Sequence, residues 1–535
     1  VPGDRVALVF DNRGWLDYAA CYVAVLKAGA VAVPLGPRFS PAELAHIVRH
    51  CEARAVVATE ELVGGIEIGA PVHVLANLEA AAESAMAPVD IQPSDLAEIL
   101  YTSGTTGAPK GVACSHASIL FHDPPPEQQA VPGPATFVHA FPVGTNAGQE
   151  VLRLPLRRSD RTAVALATFD PERYCAVVAE RAVARLQLVP AMAQLIINSV
   201  AFAHHDVSSV ERIVLSSAPS PPSLLSALSA AFPSARLWNT YALTEAGTAR
   251  TLNTSARDRP ASVGRPVGAT EIRIVTESEE DLAAGATGEI LLRRPGAPRR
   301  SYYRDPQATA ATFLPDGWIR TGDVGYVDDE GFLYLVDRKK DLIIVGGLNV
   351  SSVEVESVLG DHPSVSDVAV FAVDHPILGQ DVAAAVVTRS GLAAGELQAF
   401  ARARLGEHKV PHHVFFVDRL PRTASGKVRK LDLRDQFGHQ APGSAFVAPR
   451  SEVEVRVVAI WESVLGRGGI GTDDDFFDLG GHSLAAAQIM ARIQDSFSVS
   501  LPVAAIFDWP TPAGLAAAVD KAAPAGIATA GDSSK

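Results

Sequence analysis

The amino-acid sequence predicts a chain of α/β domains that closes with a small all-helical one. Three observations carry that reading. The 535 residues exceed what one hydrophobic core organises, and about three or four domains are expected. Residues 1–337 alternate short apolar strands with longer helical patterns, the mark of layered sheets and helices. Residues 451–523 are helical in pattern throughout, set off by a stretch of Gly, Pro, Ala and Ser at 437–450 that reads as a linker.

In chain order, Val1-Pro2-Gly3-Asp4 reads as a turn feeding a strand, so the chain is expected to open inside a larger domain. Ala24–Leu35, interrupted by Lys27 and Pro34, reads as helix, turn and strand. Further strands are expected at Ala55–Val57, Val72–Leu75 and Ala97–Tyr101. Ser40–Cys51 has helical periodicity, with Ser40 as N-cap, Pro41 in the first turn and Glu43 at the third position. A smaller α+β unit follows at 338–436, with strands at Asp367–Val373 and Val382–Val387 and a helix at Ser352–Leu359. Glu454–Leu465 and Leu484–Ile493 are amphipathic, and the tail 524–535 is small, polar and expected to be disordered.

Composition narrows the function classes. Apolar residues make up 47% and charged residues 20%, as in a globular protein. The formal net charge of -14 speaks against a nucleic-acid binder, which would be basic. Cys21, Cys51, Cys114 and Cys175 are scattered, which favours free thiols in a reducing compartment, the cytoplasm, over disulfides or a zinc site. No apolar run reaches the roughly 18 residues of a membrane span, and no secretory leader is evident.

The chemistry starts at Tyr101-Thr102-Ser103-Gly104-Thr105-Thr106-Gly107-Ala108-Pro109-Lys110-Gly111. Gly104 and Gly107 permit a tight backbone that aims amides at phosphate oxygens; the hydroxyls and Lys110 add donors and charge. Lys110 is followed by Gly111 instead of Ser or Thr, so the order is not that of a P-loop NTPase. The whole string resembles the phosphate loop of the adenylate-forming superfamily, which includes acyl-CoA synthetases, nonribosomal peptide synthetase adenylation domains and luciferases.

Further motifs of that family follow in its order. Asn239-Thr240-Tyr241-Ala242-Leu243-Thr244-Glu245 is similar to its adenine and metal motif, with Ala242 where Gly is usual. The resemblance implies that Tyr241 packs on adenine, Thr244 contacts a phosphate and Glu245 binds a magnesium ion, with Asn239 also in the nucleotide site. It extends the nucleotide site to Ser217-Ala218-Pro219. In Gly317-Trp318-Ile319-Arg320-Thr321-Gly322-Asp323, Asp323 would accept from both ribose hydroxyls. Asp337-Arg338-Lys339-Lys340-Asp341 resembles the hinge: Arg338 would contact ribose or phosphate, and Lys340 would be the point about which the small domain swings. Pro421-Arg422-Thr423-Ala424-Ser425-Gly426-Lys427 resembles the mobile catalytic loop. Lys427 would bridge the negative groups that meet when a carboxylate attacks the α-phosphate. The family fold implied is a large N-terminal subdomain at 1–337, apparently short of its first few dozen residues, and a small mobile one at 338–436.

Asp475-Phe476-Phe477-Asp478-Leu479-Gly480-Gly481-His482-Ser483-Leu484 resembles the attachment motif of a peptidyl carrier protein, a four-helix domain. Ser483 would begin a helix with Leu484, Ala487, Met490 and Ile493 on its apolar face. Ser483 alone would pass for an ordinary N-cap; the preceding Gly480-Gly481-His482 implies 4′-phosphopantetheine, added by a phosphopantetheinyl transferase. Its thiol would be a tethered acceptor at high local concentration.

The acid itself is less legible. The pocket stretch is Phe141–Glu150, with Asn146, Ala147 and Glu150 as candidate lining and Ser216, Thr240 and Thr248 as further candidates. α-Amino-acid members of the family carry an Asp where Asn146 stands, and an ammonium buried there would lack a counter-charge. Aryl-acid members carry Asn. Ser216–Pro219 and Ile343–Gly347 also look more like acyl- or aryl-CoA ligases. Glu150 either lines the pocket and pairs with a distant amine, as in a β-amino acid, or faces solvent. The expected function is activation of a carboxylic acid with ATP and Mg²⁺ and its transfer to the carrier thiol, for a downstream synthetase or acyltransferase. The alternatives are a CoA ligase using free CoA, adenylation of an amino acid, and a non-catalytic carrier scaffold.

Overall fold

The structure is a computed structural model. It describes residues 1–36, 39–63, 70–75, 89–102, 109–121, 135–157, 159–199, 201–218, 220–375, 378–389, 391–423, 427–438, 447–466, 468–474, 476, 479, 483–502 and 505–522. Ser103–Gly107, Pro219, the Ser425-Gly426 step, most of the 437–450 linker and the 524–535 tail lie outside these residues. By its internal contacts the chain forms two compact units: Val1–Lys340 with Pro421–Arg429, and Asp341–Leu420 with Lys430–Lys535.

The first unit is built on two large sheets. One has the strand order Ser301–Tyr302, Lys110–Ser115, Leu96–Thr102, Val31–Leu35, Arg5–Val9, Ala55–Ala58, Val72–Val74. Its central pairs are parallel, so the strands are covered on both faces and read as continuous apolar runs; every residue of Val31–Leu35 is buried. The second runs Glu271–Val275, Gly288–Arg293, Ile319–Val327, Leu333–Arg338, Ser262–Pro266, Arg250–Asn253, Arg236–Ala242, Arg212–Leu215, Arg185–Leu188. The helix Pro41–His50 has the expected capping box, Ser40 accepting from the Glu43 amide and Glu43 from the Ser40 amide, with Pro41 in its first turn. His204 and His205 lie at the surface end of a short helix, both beside Glu172.

In the second unit, Leu348–Val350, Ile343–Val345, Gly379–Thr388 and Val365–His375 are paired in that order, and His413–Phe416 adds parallel to Gly379–Thr388. The helix Ser352–Gly360 starts on a Ser351 cap. Beyond the linker, helices Glu452–Leu465, Ser483–Phe497, Ala505–Asp508 and Pro512–Ala522 enclose Trp461, Phe476, Ile489, Ile493 and Leu515. Ser483 does open a helix. Its buried face is Ala485, Ala486, Ile489, Met490 and Ile493, while Ala487 is exposed, which corrects the stripe drawn through Ala487. Alanine occupies both frames, and packing on Trp461 and Phe476 chose the other one. Among the described residues no helix is long and apolar enough to cross a membrane, and the four cysteines are free thiols.

Candidate active site

Three site-bearing residues of the first unit come together on interior strands of the larger sheet. Asp323 sits mid-strand in Ile319–Val327 and Arg338 ends the neighbouring strand; the two are register partners. The buried Asp323 carboxylate accepts from Arg338 Nε at 2.8 Å and from the Tyr241 hydroxyl at 2.5 Å. Tyr241, in Arg236–Ala242, is buried, and burial together with Asp323 raises its pKa well above the ordinary value. It therefore stays a hydrogen-bond donor. Asp323 is thus fixed in orientation before any ligand arrives, with lone pairs left for a diol. Asn239, buried on the same strand, accepts from Ser220 Oγ at 3.5 Å. Ser217 has φ of 74°, a strained conformation for a non-glycine residue of the kind that gathers at functional sites; it follows the buried Ser216. Ala218 is exposed.

Lys427 belongs to the same unit. Thr423 and Lys427 are tied to each other, the Thr423 amide donating to the Lys427 carbonyl at 2.7 Å and the Lys427 amide to Thr423 Oγ1 at 3.2 Å. Lys427 is exposed at the surface, and the protein around its ammonium still desolvates it in part. Desolvation, then Arg338, lowers its pKa; Asp323 and Glu245 oppose this, and Lys340 adds to it. The residues read from separate motifs as ribose, metal, hinge and catalytic groups therefore act on one another. Lys340 is itself exposed.

Glu245 accepts from the Tyr302 hydroxyl at 3.0 Å, and Lys110 Nζ lies 5.2 Å from the Tyr302 ring centroid. Thr244 offers its carbonyl to Arg300. Tyr302 and Arg300 were invisible to the motif reading. Tyr302 arrives through a two-residue strand paired with Lys110–Ser115, too short to leave a periodic signal. Among the described residues no group of three or more His, Cys, Asp or Glu is placed to hold a metal. That fits a magnesium ion bound by Glu245 and substrate phosphates, since this cation keeps few protein ligands.

The proposed acid pocket is organised by the helix Asn146–Arg157. Gly144, at φ of +82°, lies so close to Pro34 that a Cβ would stand 2.7 Å from its carbonyl oxygen. Thr145 then caps the helix, its Oγ1 accepting from the Gly148 amide at 3.1 Å. Asn146 and Ala147 are half-buried on the first turn. Glu150 is exposed, so it does not line an enclosed pocket. Its neighbours Gln149 and Arg153 take the inward face because partners wait there: Tyr18 for Gln149 and, at 3.1 Å, Glu98 for Arg153. Thr240 spends its hydroxyl on the Thr251 carbonyl at 2.7 Å. The Thr248 and Ser216 hydroxyls are buried without partners among the described residues, and those two remain able to meet a ligand. Thr102 ends the strand that leads into the phosphate loop.

Comparison with known proteins shows what the chain is similar to. The family model described as AMP-binding enzyme matches residues 1–303, that for the AMP-binding enzyme C-terminal domain matches 354–427, and that for a phosphopantetheine attachment site matches 455–519. Tyrocidine synthase 2 of Brevibacillus parabrevis is 31% identical over 94% of this chain, which spans only 14% of that protein. Feruloyl-CoA synthase of an Amycolatopsis species is 33% identical over 82% of this chain and 89% of its own length. Among solved structures, o-succinylbenzoate CoA synthetase from Bacillus subtilis with ATP and magnesium superimposes with a TM-score of 0.72 at 27% identity, covering 81% of this chain and 90% of that one.

Proposed function

The chain belongs to the AMP-binding enzyme family and is an adenylating ligase fused to a carrier domain, and from that premise we propose that it loads its own carrier with a carboxylic acid that lacks an α-amino group. In the first step an acid oxygen bonds to the α-phosphorus of ATP as the bond to the β-phosphate breaks, giving acyl-adenylate and pyrophosphate. Asp323, oriented by Tyr241 and Arg338, would hold the ribose; Glu245 would hold magnesium against the phosphates; Lys427 would sit between carboxylate and phosphate as charge builds. Ser483 would carry 4′-phosphopantetheine, whose thiol would supply the acceptor: the acyl carbon would bond to sulfur as its bond to the phosphate oxygen breaks, with AMP and the thiol proton leaving. One observation carries the reading: Asp323 is held by Tyr241 and Arg338 in the unit that also contains Lys427, on a chain that carries an attachment domain as well.

The neutral Asn146 on the first turn of its helix supports an acid without an ammonium at the α-carbon, an aryl acid among the candidates. Loading by a separate phosphopantetheinyl transferase and delivery to a downstream synthetase or acyltransferase follow from the carrier type. A CoA ligase that uses free CoA is the second reading, favoured by the likeness to feruloyl-CoA synthase over 89% of that protein's length.

The test is intact mass. The phosphopantetheinylated protein is given ATP, Mg²⁺ and a mixed panel of aryl, fatty, β-amino and α-amino acids, with Ser483→Ala as control. A mass gain that requires Ser483 supports self-loading, and its size names the acid class. Adenylate formed without such a gain, together with turnover of free CoA, overturns it in favour of the second reading.

A further inference from the structure

One face of the larger sheet carries polar side chains with no role in holding the nucleotide. The strands Arg185–Leu188, Arg212–Leu215 and Arg236–Ala242 are neighbours, and successive side chains along a strand turn to opposite faces. Leu186, Leu188, Ile213, Leu215 and Leu237 enter an apolar core on one face. Arg185, Arg212, Ser216, Trp238 and Thr240 therefore belong to the other, which is the face of the candidate acid-pocket residues Ser216 and Thr240. Arg185 and Arg212 are register partners, and the Ser216 amide continues the ladder by donating to the Leu188 carbonyl at 3.2 Å.

Three buried donors on this face have no hydrogen-bond partner among the described residues: Arg185 Nε, Trp238 Nε1 and the Ser216 hydroxyl. Trp238 is 2% exposed and Ser216 9%, and protein interiors seldom leave such groups unpaired. The Arg185 guanidinium packs on the Phe137 ring, 5.6 Å from its centroid, and among the described residues it forms no ion pair. Beside it, Arg212 stacks on Trp238, 3.8 Å from that ring's centroid. Burial lowers the Arg185 pKa, Arg212 and Arg250 lower it further, Glu150 opposes them and Arg161 adds to the fall, which ends at about 10. Three cations thus act on Arg185 against one carboxylate. A desolvated guanidinium in such surroundings is costly until an anion meets it.

We propose that Arg185 is a specificity-determining residue that receives a second carboxylate of the acid, so that the substrate is a dicarboxylic acid activated at one end. The inference deepens the adenylating reading and rests on it. Ser216 adjoins Ser217 and Ala218, the nucleotide-site residues, so the reacting carboxylate would lie at that end of the face. Arg212, the register partner of Arg185, stands four residues before Ser216, about 13 Å back along the strand. The second carboxylate would lie at this far end and accept from Arg185, whose planar fork matches its two oxygens; Trp238 Nε1 is another donor on the same face. A neutral carbonyl would satisfy the donors and leave the excess of positive charge, and an ammonium would add to that excess. A carboxylate answers both.

The test compares acid-dependent ATP–pyrophosphate exchange by the full chain across α,ω-dicarboxylic acids from succinic to sebacic, their monocarboxylic counterparts of equal length, and terephthalic against benzoic acid. The expected result is a kcat/KM higher for a diacid than for its monoacid counterpart by about 10–100-fold, the worth of a hydrogen bond to a charged group. Arg185→Gln should lower diacid kcat/KM far more than monoacid kcat/KM and so erase the preference, and Arg185→Lys should keep part of it; a merely structural role would lower both series alike. Should Arg185→Gln not fold, the milder Arg185→Lys, expected to reduce the preference several-fold, decides the matter. Monoacids used as well as diacids by the parent, or a preference that neither variant alters, overturns the proposal. If no acid of any class elicits exchange, the reading of function falls instead. Calorimetric titration of the same diacids and monoacids into parent and Arg185→Gln protein then still reports whether Arg185 holds a second carboxylate, and absence of tighter diacid binding there overturns the proposal too.

Discussion

On the proposed function, Lys427 is the residue on which the first chemical step would turn. An ammonium made less basic by burial and by Arg338, with Asp323 and Glu245 opposing, is poised to gain most when two negative oxygens approach it. Lys427→Ala is expected to lower acid-dependent pyrophosphate release by roughly 10²–10³-fold, the usual loss when one donor to developing charge is removed. Transfer of a preformed acyl-adenylate to the carrier thiol should be far less affected, and equal losses in both would sink the assignment. A second single residue carries a pH dependence. His139 is 2% exposed, packed between Trp15 and Phe141, and burial alone lowers its pKa to about 4. Its unfolded value is about 6.5, so the unfolded chain binds the extra proton first. Stability from this group is complete above pH 6.5 and is lost as pH falls toward 4, by about 3 kcal/mol at ~1.4 kcal/mol per pH unit. Urea midpoints measured from pH 7 to 5 should fall more steeply for the parent than for His139→Phe; parallel curves would refute it.

At the scale of elements, a buried polar network ties the strand that feeds the phosphate loop to the helix that frames the acid pocket. Glu98, fully buried in Leu96–Thr102, meets Arg153 at 3.1 Å and the Tyr22 hydroxyl at 2.7 Å. Burial works against the Arg153 charge, but Glu98 overrides it and holds its pKa above the usual value. Glu98→Leu alone would strand a buried guanidinium and is expected to cost about 3–5 kcal/mol, whereas Glu98→Leu with Arg153→Met should recover most of that. Denaturation of the four proteins of this double-mutant cycle checks it, and additive costs would mean the pair is not coupled. The network also marks where sequence reading stopped. The Ser40 capping box and the start of a helix at Ser483 were legible because their information is local. Glu98 and Arg153 lie 55 residues apart inside unremarkable patterns, and only the topology makes them partners. For the same reason Glu150 was a candidate for the pocket: helical spacing alone does not say whether it or Gln149 faces inward until Tyr18 and Glu98 are in place.

On the scale of the whole molecule, the chain passes between its two units three times, after Lys340, after Leu420 and after Arg429. The motif order placed the hinge residue at Lys340, and the first unit ends there. Lys427 lies in a short return segment, Pro421–Arg429, that belongs to the first unit while its flanks belong to the second. On the proposed function, the enzyme would bring Lys427 to the phosphate for the first step and give the carrier thiol access for the second, so the two half-reactions would make different demands on backbone freedom at the crossings. Lys340→Pro fixes φ near -65° and is expected to leave acid-dependent pyrophosphate exchange within a few-fold while slowing transfer from preformed acyl-adenylate to the Ser483-borne thiol by more than about tenfold, the mark of a gating step and not of lost chemistry. Lys340→Ala removes the charge without fixing the dihedral and separates the two contributions. If exchange and transfer fell together in Lys340→Pro, or if Lys340→Ala reproduced the transfer defect in full, the residue would act through its charge and the hinge would have to lie at another crossing.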